Sequence, residues 1–157
     1  MKKIALITGA TSGIGEACAR KFAQGGYDVI LTGRNATKLQ ALQTELTQQG
    51  TKVLTLTFDV RDKEAARQAV DSISDEWKPI DVLINNAGLV ETNFSVVRFR
   101  GDQQRADNVY KGVKPLIGDD IADVCFYVAS APKHVQIAEV TILATHQASP
   151  FLIARKL

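Results

Sequence analysis

The sequence predicts an α/β fold in which a parallel sheet is doubly wound, with helices on both faces. Three observations carry it. Short, continuously apolar runs occur where a half-exposed strand would alternate. Between those runs, apolar residues recur at helical spacing, and glycines punctuate the junctions. Ile4-Ala5-Leu6-Ile7 is the first such run, followed by a glycine-rich turn and by Ile14, Ala17, Cys18 and Phe22 on one helical face, with Gly25-Gly26 as the stop. Val29-Ile30-Leu31 is a second strand; Leu39, Leu42 and Leu46 mark a second helix closed at Gly50. Residues 53 to 58 form a third strand, Ala66, Ala69, Val70, Ile73 and Trp77 a third helix, and Val82-Leu83-Ile84 a fourth strand.

After residue 88 the alternation breaks. Residues 89 to 118 hold no convincing strand and carry the turn formers Gly101, Gly112, Pro115 and Gly118. A helix opens near Asp119-Asp120, whose charges suit a positive helix end, and presents Ile121, Val124, Cys125 and Val128. Val140-Thr141-Ile142-Leu143 reads as a last buried strand, and the tail beyond Gln147 carries an apolar Phe151-Leu152-Ile153 patch in need of a partner surface.

The chain has 157 residues, enough for a single domain over 1–157 and too few for two. A net charge of +2, with Lys and Arg scattered, gives no footprint for nucleic acid. No apolar run reaches membrane-spanning length, so no membrane partner is expected. The four apolar residues after Lys3 are too few for a signal peptide, which makes a cytoplasmic location the expectation. Cys18 and Cys125 fall inside helical apolar patterns and read as buried, reduced thiols. His134 and His146 have no company at ligand spacing, so no metal is expected.

The chemistry is concentrated in Thr8-Gly9-Ala10-Thr11-Ser12-Gly13-Ile14-Gly15, which joins the first strand to the first helix. Glycines here let backbone approach a pyrophosphate, and the helix N-terminus offers free N–H groups and a positive dipole end to the anion. The spacing Thr-Gly-x-x-x-Gly-x-Gly, Asp59-Val60 after the third strand, and Asn85-Asn86-Ala87-Gly88 ending the fourth resemble the short-chain dehydrogenase/reductase family over residues 1–88. The resemblance implies a Rossmann-like fold with residues 1–88 as the cofactor half. It also implies that Asp59 and Val60 contact the adenine of a dinucleotide and that Asn86, with Ala87 and Gly88, backs its ribose. At the end of the second strand an NAD enzyme would place an acid on the ribose 2′-hydroxyl. Gly33-Arg34-Asn35 instead offers the planar donor fork of Arg34, suited to the 2′-phosphate of NADP.

The second half, residues 89–157, is similar to the C-terminal part of the same family, but it arrives early. Gly88-Leu89-Val90-Glu91-Thr92 resembles the segment that touches the nicotinamide amide after the sixth strand, which makes Val90 and Thr92 cofactor candidates. Val97 to Gly101, Asn108-Val109-Tyr110-Lys111 and Gln147 to Pro150 resemble the NADP-dependent 3-hydroxy acid (serine or allo-threonine) dehydrogenase branch. In that branch a fifth strand with the catalytic Ser and a helix with Tyr-x-x-x-Lys separate the two motifs; here they are fused at Gly88. Tyr110-Lys111-Gly112-Val113-Lys114 repeats the Tyr-x-x-x-Lys spacing, but Gly112 and Pro115 oppose a helix there and no Ser-bearing strand precedes it. Arg98 and Arg100 could pair with a substrate carboxylate, since the resembling branch handles hydroxy acids, but read rather as solvated loop charges.

The expected architecture is therefore a reduced sheet of about five strands in the order 3-2-1-4-last, the helix of residues 119 to 130 acting as a right-handed crossover. The expected protein binds NADP(H). Its full-length relatives oxidise the hydroxyl of 3-hydroxy acids such as serine or allo-threonine, whereas this chain lacks catalytic residues. Two alternatives stay open: an active oxidoreductase whose central segment is absent from this sequence, and a misfolded or domain-swapped truncation product. A small hydroxy-acid substrate is a partner only if the catalytic segment exists. Self-association through the open edge of the fourth strand would give a homo-oligomer.

Overall fold

The computed structural model describes residues 2–86, 115–145, 147–149 and 152–153, with Gln104 alone between them. The first half builds the predicted alternation. Strand β1 (Ile4–Ile7) leads into helix α1 (Gly13–Gln24), β2 (Asp28–Gly33) into α2 (Ala36–Gln48), and β3 (Val53–Thr57) into α3 (Lys63–Asp71); β4 (Val82–Ile84) follows a single 3₁₀ turn at Asp75–Trp77. All pairings are parallel, in the order β3-β2-β1-β4.

Over β1 and β2 the apolar runs lack polar alternates because both faces of the sheet are covered, whereas Leu83 of β4 is 58% exposed. Ala5, Ile7, Val29 and Leu31 point to one side, where they meet Cys18 and Phe22 of α1 and Leu39, Leu42 and Leu46 of α2. Ile4, Leu6 and Ile30 point to the other, against Ile73, Leu54, Leu56 and Trp77. Two side chains fix the element ends. Asp62 caps α3 by accepting from the N–H groups of Glu64 and Ala65, and Asp81 accepts from the Ile4 N–H at 2.8 Å, pinning the start of β4 to the start of β1.

The third helix is shorter than its periodicity suggests. It stops at Asp71, where the Ser72 hydroxyl donates to the Ala69 carbonyl at 2.7 Å, and Trp77 rides on the separate 3₁₀ turn. Ile73 and Trp77 still reach the same core, so an apolar spacing of three and four was satisfied by two elements.

Helix α4 (Gly118–Ala129) lies on α1, on the same face as α2. Phe126 packs edge-on against Phe22, with centroids 5.4 Å apart, and against Tyr27 at 6.1 Å. Its ring fills the space that a side chain at Gly25 would need. Asp123 pairs with Lys21 at 2.6 Å, and Asp120 accepts from the Ile117 N–H at 2.8 Å.

The expected fifth strand is not formed. Residues 140–143 have no ladder partner, Val140 and Leu143 are 46% and 40% exposed, and the sheet closes at four strands. A strand needs a neighbouring edge, and the three residues of β4 offer a short one. Helix α4 is thus not a crossover between paired strands. The tail instead forms a small antiparallel ribbon, β5 (Gln147–Ser149) with β6 (Leu152–Ile153).

The α1–α4 contact has a measurable energetic signature. Phe126→Ala should lower the free energy of unfolding by about 3 kcal/mol, read as a reduced denaturant midpoint with little change in m. An unchanged midpoint would mean that α4 is not docked on α1.

Candidate functional site

The turn between β1 and α1 is held from three sides. Gly9 and Gly13 have φ of +67° and +55°, a region that L side chains rarely occupy, so these two glycines are dictated by the backbone. Gly15 is required for a different reason: a Cβ there would collide with the Gly9 carbonyl oxygen and with the Asn86 amide nitrogen. That amide donates to the carbonyls of Thr8 and Gly9, both at 3.2 Å, while the Asn86 backbone N–H donates to the Thr8 hydroxyl at 3.0 Å. The Thr8 N–H and hydroxyl in turn donate to the Ile84 carbonyl, at 2.9 and 3.3 Å. The end of β4 is thereby stitched to the glycine turn.

On the opposite side, the buried Ala10 donates its N–H to the Thr32 carbonyl at 2.9 Å, tying the turn to β2. Thr11 leans over Gly33, where a Cβ would come within 2.7 Å of its methyl group. Ser12 occupies the N-cap position of α1 in an extended conformation, and its side chain makes no capping hydrogen bond. The first-turn N–H groups of α1 are left without a side-chain cap, an arrangement that suits an incoming anion. Ile14 turns inward against the core.

At the ends of β2 and β3 lie three charged groups. Arg34 is exposed directly after Gly33, and its charge is felt at Asp59. Asn35 is extended, and its side-chain oxygen caps α2 by accepting from the Lys38 N–H at 3.0 Å. Asp59 accepts from the Arg61 guanidinium through both carboxylate oxygens and from the Arg61 backbone N–H at 3.0 Å. The guanidinium hydrogen bonds, followed by the backbone one, hold the Asp59 carboxyl down at a pKa of about 2. Val60 beside it is 43% exposed.

The structure therefore brings Thr8 to Gly15 together with Asn86, and sets Arg34, Asp59 and Val60 along the neighbouring strand ends. Ala87, Gly88, Val90 and Thr92 lie outside the described residues, as do Arg98, Arg100, Tyr110, Lys111, Lys114 and His146. His134 is exposed, and no cluster of metal-ligating side chains occurs among the described residues. Sequence reasoning missed Arg61 and the packing role of Gly33. The Asp-x-Arg spacing at 59–61 was the available signal for the first; nothing in the sequence announced Thr11 above Gly33.

A glycine turn at the β1–α1 junction of a parallel 3-2-1-4 sheet defines the class of dinucleotide-binding α/β proteins. More narrowly, the chain belongs to the short-chain dehydrogenase family, whose model matches residues 3–111. It is similar to serine 3-dehydrogenase of Agrobacterium fabrum, 28% identical over 236 aligned residues that cover 90% of this chain and 94% of the relative. Since 236 aligned positions exceed the 157 residues of the chain, a long internal stretch of the relative faces no residue here. It is also similar to an NADP-dependent 3-hydroxy acid dehydrogenase of Escherichia coli, 45% identical over 86 residues, covering 55% of this chain and 34% of that one. Among solved structures, the closed form of serine dehydrogenase complexed with NADP+ superposes with a TM-score of 0.85 at 23% identity, covering 98% of this chain and all of the other, which shows the shared fold.

The Arg61 contact predicts a pH signature. Its depressed pKa means that the Asp59 interaction is fully present above the ordinary carboxyl value of 3.8 and is lost as pH falls through about 2. In a carboxyl-detected NMR titration, Arg61→Ala should move the Asp59 midpoint up toward 3.8. A midpoint unchanged by the substitution would assign the shift to another group.

Proposed function

We propose that this chain is an NADP(H)-binding protein of the short-chain dehydrogenase type that holds the dinucleotide without turning over a hydroxy acid. The observation that carries the reading is the junction of β1, α1 and β4. Backbone at Gly9 and Gly13 and the uncapped first turn of α1 face the anion, and the Asn86 stitch, which needs a bare position 15, holds that turn in place. On this reading Thr8 to Gly15 receive the pyrophosphate, and the Arg34 fork, with the Asn35 segment, receives the 2′-phosphate. Asp59 and Val60 bound the adenine, and Asn86 backs the ribose. Ala87, Gly88, Val90 and Thr92 extend the same site. The names of the similar proteins support the cofactor: two are NADP-dependent or complexed with NADP+.

When bound, the cofactor supplies a nicotinamide able to accept or donate a hydride. What this chain's residues do is bind it and orient it. Reduction of a carbonyl also needs a positioned proton donor, which the family supplies as Tyr with Ser and Lys partners. The fusion at Gly88 leaves no Ser between β4 and residue 89, and the alignment with serine 3-dehydrogenase runs over more positions than this chain has residues, which supports the same reading.

Two outcomes test this. In a calorimetric titration NADPH should bind more tightly than NADH, and Arg34→Ala should weaken NADPH binding by about 1.5–3 kcal/mol while sparing NADH. Equal affinities for the two cofactors would remove Arg34 from the site. In a 340 nm assay over a pH series, protein of verified 17.1 kDa mass should show no turnover of serine, allo-threonine or other 3-hydroxy acids. The missing acid–base group alone accounts for roughly 10²–10⁴-fold. Robust turnover that disappears in Tyr110→Phe would make Tyr110 a proton donor and overturn the non-catalytic reading.

A further inference from the structure

The chain has two cysteines, Cys18 and Cys125, 107 positions apart, and the fold places both in one core cluster at the α1–α4 seam. Cys18 sits on α1 with no exposure, and Cys125 sits half-buried on α4, packed against the same core. The helices approach closely there because their contact is built from small side chains. A Cβ on Gly118 would lie 3.1 Å from the Gly13 carbonyl oxygen and 3.2 Å from the Ala17 methyl group, and Ala122 is 1% exposed. Lys21–Asp123 and Phe22–Phe126 close the same seam further along. Between these fixed points Cys18, buried in the core, and Cys125, packed against it, face the same seam.

We propose that Cys18 and Cys125 are a redox pair that closes to a reversible disulfide, locking α4 onto α1. The chemistry is asymmetric. The neighbouring thiol brings Cys125 down to about 7 and pushes Cys18 up, with burial adding to the rise. Cys125 is also the more accessible of the two, so it meets the oxidant first. With hydrogen peroxide, the Cys125 sulfur attacks one oxygen, the O–O bond breaks, and Cys125 becomes a sulfenic acid as the first water is released. The Cys18 sulfur then attacks the Cys125 sulfur. The S–O bond breaks, the Cys18 proton leaves with the departing oxygen, and the second water forms. Two thiols lose two electrons in total and one peroxide gains them.

The bond would join α4 to α1, the helix whose N-terminus follows the glycine turn. It closes a loop of more than a hundred residues, so the oxidised chain should unfold at a clearly higher denaturant concentration. This inference needs neither cofactor binding nor activity.

The test treats the whole protein with a small excess of hydrogen peroxide, quenches it by alkylation and digests it without reductant. The expected result is a monomer that has lost two hydrogens and both titratable thiols, a single linked peptide pair containing Cys18 and Cys125, and a urea midpoint that rises and falls back after dithiothreitol. In Cys18→Ala the link cannot form, and Cys125 should instead accumulate as a trapped sulfenic acid. Two alkylated thiols in the treated protein, sulfenic acid that never resolves in the wild type, or a link between two chains would each overturn the proposal. An intramolecular link that leaves the urea midpoint unmoved would overturn the locking.

Discussion

The contact on which the rest of the molecule depends is the insertion of the Asn86 amide between the Thr8 and Gly9 carbonyls. It exists because position 15 has no side chain. One hydrogen bond of this kind is worth about 0.5–1.5 kcal/mol net, but the geometry it imposes reaches further. Strand β4 is three residues long and is paired on one side, so its ladder alone is a weak anchor. Asn86 at one end and Asp81 at the other clamp it to β1. The same contacts set the path of the turn and hence the direction in which α1 begins. Sheet order, cradle and helix N-terminus are thus consequences of one close approach.

A second contact system holds what remains after residue 115. Helix α4 finds its place through α1, with no help from a strand that follows it: Gly118 admits the Gly13 carbonyl, Phe126 takes the hole left at Gly25, and Asp123 reaches Lys21. The apolar surface of a helix can dock on another helix without satisfying backbone groups, since its own are already paired. A strand cannot, because its N–H and C=O groups need an edge. That difference explains why the helical pattern of residues 118–129 was realised and the strand pattern of residues 140–143 was not.

The legible parts of the sequence were those governed by local rules. Apolar runs bounded by glycine gave β1, β2 and β4 to within a residue or two, and the glycine turn was readable because strand and helix flank it. The boundary of α3 was not readable, since Ile73 and Trp77 keep helical spacing while sitting beyond the helix end. Arg61 went unnoticed for a similar reason: its partner Asp59 had already been assigned to a ligand, and a surface arginine carries no periodic signal. The shared seam of Cys18 and Cys125 is wholly tertiary, and nothing in a separation of 107 positions announces it.

The electrostatics at the ends of β2 and β3 bear on how the proposed site would discriminate between cofactors. A carboxylate near a phosphate is unfavourable, and Asp59 lies near enough to Arg34 for each to feel the other. Left alone, it would offset part of the attraction that Arg34 offers a 2′-phosphate. Arg61 changes that balance by occupying both Asp59 oxygens, which leaves the field of Arg34 less opposed. Since all three groups face solvent, the effect is one of local charge and is screened by salt. Selectivity for the phosphorylated dinucleotide would then be a property of the Arg34–Asp59–Arg61 set. Arg61 would act through Asp59 without touching the phosphate, and raised ionic strength would narrow the preference.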